Sequence, residues 1–580
     1  MQIHFAKSGE RFLKYAPWGV LLIAFLLFCR SFGYGPLLHF DDAPYIFDNP
    51  NLGLSGEQIK RLGSPVMDLW TPLSMYTYLA DFAIGGYDVY SYHIQNTLWH
   101  LLAVLMVWRL LRELEVEPAA ALVMSLIFAI HPQRVESVVW LSERKDVVTA
   151  ALFFASLATF VHFRRKGRTF DPWSWLLMLG ALFCKQTAIA LPAVMFLLEV
   201  YRERKWNFKV LLQLWPYYLG VVFYMIVAGV VRPHSAGQVG DSVSEPLSAL
   251  ILVARNYLQY AGKMLLPLEL NPVYPFFVQT PGAIAAIVLV CLGAGGGLLW
   301  LWFRKRALLL YDILPPLLVF GGILIPVCGF FPFSSADFAD RYSYLPSVFL
   351  LLAVFGVLKC FAGKIQTRLC VFALAAYLLY LGAFNFIYQP VWRNDHTFYE
   401  AVCDVPSPNY RPAFILADLK LKEGDADGAL ALAAKAAHGT FRSAEQRRSI
   451  DVFSRYIRGM AAYQRGDYDT AVPLLFGLVH EGYDTAMFYL NSDAPFRIYL
   501  ALAAVSHEQG ENDKAAFWYD HIARIYPENR FLGAFYGGMA AMCRGDYPLA
   551  EKKFTLAGEL KPEDSRWREY LAAAREKRMK

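Results

Sequence analysis

The sequence predicts an all-α protein in two parts: a polytopic bundle of membrane-spanning helices over residues 1–390 and a soluble solenoid of helical repeats over 391–580. Three observations carry this prediction. Apolar runs long enough to cross a bilayer recur through the first two thirds of a chain that is 56% hydrophobic, 16% aromatic and only 18% charged, unlike a soluble domain. Basic residues gather at alternate ends of those runs. Beyond Pro390 the chain turns charged and alanine-rich and repeats one glycine-containing phrase.

Spanning segments are expected near 15–34, 94–113, 117–131, 147–164, 173–184, 186–200, 211–231, 281–303, 309–330, 343–361 and 367–388. That makes about eleven, with 173–200 broken at Lys185 because a charge inside an apolar stretch is costly away from an interface or cavity. The first run, Ala16 to Cys29, follows Lys7, Arg11 and Lys14 like the start of a signal peptide. No clean small-residue cleavage site follows, so it is read as a retained helix. The basic stretches at Arg164–Thr169, Tyr201–Lys209, Phe303–Arg306 and Lys359–Arg368 all fall on one side, with the N-terminus, and are assigned to the cytoplasm. The other side then receives a first outer loop over 35–92, the loops His131–Asp146, Arg232–Thr280 and Phe331–Tyr342, and everything after Tyr388. An outward tail with few cysteines fits a bacterial inner membrane.

In the tail, Gly424, Gly466, Gly510 and Gly545 mark helix turns, each followed by an alanine at a close-packing position. The last two glycines are 35 residues apart and the earlier spacings are 42 and 44. A spacing near the tetratricopeptide (TPR) period of about 34 predicts stacked helix pairs, and such a stack presents a concave surface suited to an extended peptide.

Charged residues near the outer surface form the candidate site. Asp41 and Asp42, in "HFDDAPYIFDNPNL", follow the first span and enter a loop rich in aromatics (Trp70, Tyr76, Tyr78, Tyr87, Tyr90). A carboxylate there can take a proton from a hydroxyl or help hold a divalent cation, so a metal stays open; an aspartate can equally cap a short helix. "HPQRVESVVWLSERKD" sets His131, Arg134, Glu136, Arg144, Lys145 and Asp146 within 16 residues. Outer loops are normally poor in Lys and Arg, and an anionic ligand such as a lipid phosphate, gripped by Arg144 or Lys145, explains the departure. Mutual pairing of the charges is the alternative. "FADRYSYLP" adds Arg341 with Tyr342 and Tyr344, suited to a phosphate or a sugar, or to an aromatic belt with a snorkelling Arg. Lys185 is a further cation on this face. His93 and His100 share a helical face with Asn96 and have no third metal ligand nearby in sequence.

Several chemistries are excluded. A net charge of +6, dispersed along the chain, gives no basic–aromatic nucleic-acid patch. There is no phosphate-binding glycine loop, no H-E-x-x-H, no G-x-S-x-G and no C-x-x-C. "GAGGG" at Gly293–Gly297 lies inside a span and reads as helix packing. Six of the eight cysteines (Cys29, Cys184, Cys291, Cys328, Cys360, Cys370) lie in apolar runs and read as small buried hydrophobes, which leaves Cys403 and Cys543 outside.

The motifs "HFDDAPYIFDNPNL", "WTPLS…YHIQNTLWHLL", "HPQRVESVVWLSERKDV", "KQTAIALPAVMFLLEV", "YLQYAGKMLLPLELNPVYP", "DRYSYLP" and "VWRND" occur in this order. With the repeat tail, the set resembles the TMTC proteins (transmembrane-and-TPR O-mannosyltransferases) and their bacterial relatives, in the GT-C glycosyltransferase superfamily. The resemblance implies a GT-C-type bundle, a sugar donor linked to polyprenyl phosphate and used on the outer face, and inversion at the anomeric carbon. It implies that Asp41-Asp42 is the catalytic feature and that the TPR tail presents or selects an acceptor protein. His131, Glu136, Arg144 and Asp146 fall on the second motif, and Arg341, Tyr342 and Tyr344 on the third; His93 lies in "YHIQNTLWHLL". The chain departs at Arg134, where a second His is common, and at Thr71, where Arg is common, and the sugar is left open.

The residues fit that chemistry without the name. A lipid-borne donor puts its phosphate at the interface, where Arg144, Lys145, Lys185 and Arg341 can neutralise it as it leaves. Asp41 or Asp42 takes the proton from a Ser or Thr hydroxyl. Two other readings remain: a non-catalytic membrane scaffold with a TPR arm, and a transferase acting on a glycan or lipid. A transporter is disfavoured because the charges cluster on one side instead of at the midplane.

Overall fold

A computed structural model describes residues 7–67, 69–231, 246–274, 277, 279–329, 338–361, 367–404, 410–437, 444–482, 493–525 and 529–579. The described chain is helical, with a lone antiparallel bridge between Val66 and Leu69 and no β-strand among the described residues. It divides into two compact units, Met1–Ala401 and Val402–Lys580.

Six helices of the first unit are long and apolar enough to cross a membrane: Tyr15–Gly33, Val89–Glu113, Leu141–Arg165, Pro281–Arg304, Arg306–Val327 and Arg368–Trp392. Four shorter apolar helices accompany them: Pro118–Ile130, Pro172–Cys184, Trp215–Val231 and Ser347–Phe361. Val89–Glu113 and Arg144–Arg165 pack against each other at the centre. The buried face of the first explains its orientation. His93, Asn96, Thr97, His100, Ala103, Val104, Val107, Leu110 and Leu111 recur at helical spacing and form one stripe. The stripe is polar at its N-terminal end and apolar beyond, so the helix itself carries a polar site onto an apolar pillar.

Two expectations are corrected here. His131–Asp146 is not a loop: every residue from Ile127 to Ala151 is buried. The segment folds as a short helix, Arg134–Val139, and a turn that runs straight into Arg144–Arg165. Its ionisable groups are buried because each finds a partner, described below. The stretch Arg232–Thr280 is likewise not only loop, since it contains the helix Pro246–Leu265. Most of Phe331–Tyr342 and the stretch 232–245 lie outside the described residues. Of the cysteines expected inside, Cys184, Cys328 and Cys360 are buried, whereas Cys291 and Cys370 are exposed on their helices.

In the second unit successive helices pack against one another from Tyr410–Lys422 to Arg566–Met579. The repeated phrase has a direct structural meaning. Gly424, Gly466, Gly510 and Gly545 all adopt positive φ, between 74° and 85°, which ends one helix at low steric cost. An Asp then caps the next helix in three of the four, its side chain accepting from the N–H of Gly428, Thr470 or Leu549. Five residues after each glycine stands a fully buried alanine: Ala429, Ala471, Ala515 and Ala550.

Candidate functional site

The site is built from the outside inward. Asp42 is buried, and both of its oxygens are spent on backbone amides: Leu37 N–H donates to Oδ2 at 2.9 Å and Ser142 N–H to Oδ1 at 2.8 Å. The first contact closes its own loop, and the second ties that loop to the 131–146 segment. Burial pushes the Asp42 carboxyl up to about 7, against the two amide donors. Of the two aspartates offered as the base, Asp42 has the geometry of an anchor. Asp41, the neighbour it fixes, is half-buried, and among the described residues its carboxylate has no hydrogen bond or ion pair. Burial raises its pKa above the usual carboxylate range, while Lys145 and Arg341 pull it down and Glu143 adds to the rise.

Those neighbours form a chain of charges. Glu136 accepts the Arg341 backbone N–H at 2.9 Å and its guanidinium at 2.5 Å. Burial lifts the Glu136 carboxyl to about 7 in spite of Arg341 beside it. Glu143 lies among three cations, at 3.0 Å from Lys145 Nζ, 3.6 Å from Lys185 Nζ and 3.6 Å from Arg341 Nε. Lys185 also pairs with Asp146, whose other oxygen accepts from Ser137. Aromatic rings wall the cluster: Tyr45 is 4.9 Å from Lys145 Nζ, Trp140 is 5.6 Å from Arg341, and Tyr342 is 4.8 Å from Arg341 and 5.8 Å from Lys185. Side-chain exposure separates the cations: Lys145 is 7% exposed, Lys185 17% and Arg341 16%. The last two are the ones an incoming ligand meets.

Sequence reasoning missed Glu143, the hub of this cluster, although it stands between the recognised Glu136 and Arg144. An acid followed directly by Arg144 and Lys145 was the available signal.

Arg144 is placed differently from expectation. It is fully buried, and its guanidinium donates to Asn96 Oδ1 (2.6 Å), the Tyr92 carbonyl (2.7 Å), the Thr77 carbonyl (3.3 Å) and Asp81. No face of it is left for a phosphate, because the burial of Asp81 demands a permanent counter-charge. Asn96 completes this brace by donating to the carbonyls of Val138 and Trp140, both at 3.3 Å.

The remaining predicted residues also hold the frame. His131 Nε2–H donates to the Met264 carbonyl at 3.1 Å and its Nδ1 accepts from Gln133 N–H at 3.2 Å. His93 Nε2 bonds the Tyr34 carbonyl at 3.1 Å. Tyr344, expected to face a ligand, is buried under Arg134 (4.9 Å) and pairs with His100 Nδ1 at 2.5 Å. Asp340 receives Gln133 Nε2 at 2.9 Å and Tyr274 O–H at 2.7 Å, which fastens the second and third motifs to the chain after Pro246–Leu265. Asp41, Glu136, Lys145, Asp146, Lys185, Arg341 and Tyr342 thus belong to one linked set of charges and rings, whereas Asp42, His93, His131, Arg144 and Tyr344 are engaged in bonds within the frame. Among the described residues no three His, Cys, Asp or Glu side chains are grouped to hold a metal ion.

A cavity of about 420 Å³ lies elsewhere, lined by Arg164, Glu199, Arg202 and Lys205 among others. Arg144–Arg165 has 22 residues, so the two ends of this helix are about 33 Å apart, and the cavity sits at the end remote from Asp41. Its arginines are already paired with Glu199, at 3.0 Å and 3.1 Å. These pairs brace the far end of the bundle.

No family model matches the chain. Over 199 residues it is 29% identical to the protein O-mannosyl-transferase Tmtc2 of Drosophila melanogaster, an alignment covering 31% of this chain and 21% of that one. Over 228 residues it is 26% identical to TMTC4 of Mus musculus, covering 32% and 30%. Over 186 residues it is 26% identical to Tmtc1 of Drosophila melanogaster, covering 30% and 21%. The chain therefore matches between 21% and 30% of the length of these relatives. The TMTC-like resemblance carried by the ordered motifs is what the comparisons return.

Proposed function

We propose that this TMTC-like chain is a membrane glycosyltransferase that moves a sugar from a polyprenyl-phosphate donor to a hydroxyl of an acceptor protein, with Asp41 as the general base. The observation that carries the proposal is the contrast between two adjacent aspartates. Asp42 is tied at both oxygens, whereas Asp41 is left unbonded beside a cluster whose accessible cations are Lys185 and Arg341.

In the reaction, Asp41 accepts the proton of a Ser or Thr hydroxyl as its oxygen attacks the anomeric carbon. The bond from that carbon to the phosphate oxygen breaks on the opposite face, so the configuration inverts. Lys185 and Arg341 stabilise the phosphate as it leaves, in a partly dried site where charge is worth more than in water. Tyr342, at the rim beside both cations, orients the sugar or phosphate. The acids of the cluster hold Lys185 and Arg341 in place before the donor arrives, so that they need not reorganise.

Eleven crossings, with the Asp41 end facing outward in a bacterial inner membrane, complete the reading. The alternating basic loops support this orientation. The second unit, read as a TPR stack, receives the acceptor. The relatives are named for O-mannosyl transfer, which makes mannose the first sugar to try.

The test is transfer in isolated membranes. Membranes containing the full chain are given polyprenyl-phosphate mannose, then the corresponding glucose and N-acetylglucosamine donors, each labelled in the sugar. Labelled protein whose label is released by β-elimination is the expected result. Label on lipid or glycan alone moves the acceptor to another class, and no transfer from any donor leaves a scaffold.

A further inference from the structure

The motif "VWRND" plays no part in the chemistry above, yet it touches the loop that carries Asp41 at several points. We propose that the segment Val391–Tyr399 is a cradle that positions Asp41, with Asp395 and Tyr399 as its positioning residues. This rests on the reading of Asp41 as the base.

The contacts converge on the residues just before Asp41. Arg393 O accepts the Gly35 N–H at 2.8 Å. Asp395 takes the His39 backbone N–H at 3.2 and 3.3 Å and meets His39 Nδ1 at 2.7 Å. Tyr399 O–H donates to the His39 carbonyl at 2.6 Å. Phe40 is stacked on Trp140 at 4.6 Å and packs on Phe398 at 5.2 Å, and Trp140 is stacked in turn on Trp392 at 5.5 Å. The chain is therefore held at Gly35, at both backbone groups of His39 and at the ring of Phe40. On the far side of Asp41 it is held by the Asp42 anchors. Asp41 is the free side chain between two fixed points.

A helix-capping role for Asp395 explains less. It is the first residue of the helix Asp395–Cys403, but the capping is done by Asn394, whose Oδ1 accepts Thr397 N–H at 3.0 Å. Asp395 spends both oxygens on a residue 356 positions away. A base must sit within about half an ångström of its working position, and a two-point hold on the preceding residue supplies that.

The test uses the full chain with Asp395→Ala, Asp395→Asn and Tyr399→Phe. Two quantities are measured: kcat and donor KM, and amide hydrogen exchange over 35–40 and over 131–146. Asp395→Ala is expected to lower kcat by about 10-fold or more with donor KM unchanged, as a small misplacement of a reacting group does. Exchange over 35–40 rises about 10-fold, the mark of local opening, while 131–146 stays protected. Asp395→Asn, which keeps one acceptor for the His39 amide, falls in between. Wild-type exchange over 35–40 overturns the cradle. A normal kcat with faster exchange overturns the positioning role, and exchange rising equally in both segments shows a general loss of stability in its place. If the wild-type chain transfers no sugar, the transferase reading falls and the exchange arm still decides whether the cradle exists.

Discussion

Adjacent carboxylates of one dipeptide have different environments, and substitution should separate them. Asp41→Asn keeps the fold and removes the base, with an expected loss of about 100-fold or more in kcat. Asp42→Asn sets an NH2 group against one of two backbone N–H donors. It should cost about 1–3 kcal/mol of stability, the penalty of an unmet buried amide, seen as a lowered melting temperature. The pH dependence belongs to Asp41. As a base it works deprotonated, so activity falls as pH drops through its pKa. Burial has raised that pKa above the ordinary carboxylate range, and the acid limb of kcat/KM should lie correspondingly higher. Replacing either Lys185 or Arg341 by Gln should weaken donor use by about 10- to 100-fold, the worth of one charge-assisted contact of about 1.5–3 kcal/mol. Arg144 behaves as a structural residue: Arg144→Met strands buried Asp81 and should cost about 3–5 kcal/mol, and adding Asp81→Leu should recover part of it. Thermal unfolding of the three proteins checks this.

Among the elements, some were legible in the sequence and others were hidden. The long apolar helices and the glycine–alanine phrase of the repeats could be read because they rest on composition and local backbone geometry. Gly545 ends its helix through a positive φ that costs glycine little, and Ala550 is small whatever it meets. A bulky side chain at such a position has no room, so Ala515→Leu should destabilise the second unit by about 1–3 kcal/mol, with the first unit unaffected in a calorimetric scan. The 131–146 segment reads as a loop because a polar stretch between two spans is ordinarily one. Here Glu136, Glu143 and Asp146 are neutralised by Lys145, Lys185 and Arg341, of which Lys185 and Arg341 come from distant parts of the chain. Sequence spacing cannot show such pairing. The same limit explains the dual reading of Asp41 and Asp42: their difference arises from Ser142, 100 residues away from Asp42.

At the largest scale, the first unit is an apolar bundle organised around a buried polar plug. Val89–Glu113 carries Asn96 into that plug, Arg144 locks onto it, and the third motif closes over it through Glu136–Arg341. The first loop is then laid on top, held by Asp42 below and by the Val391–Tyr399 segment beside it. This order leaves one unbonded carboxylate in the field of Lys145 and Arg341, the meeting point that the proposed transfer requires. The most direct measurement is the single-turnover rate of sugar transfer by Asp41→Asn and Asp42→Asn, side by side, at matched membrane abundance and with a saturating polyprenyl-phosphate sugar. The account predicts that Asp41→Asn is silent, whereas Asp42→Asn, once folded, still turns over. Transfer by Asp41→Asn at the wild-type rate, or loss confined to Asp42→Asn, would contradict it.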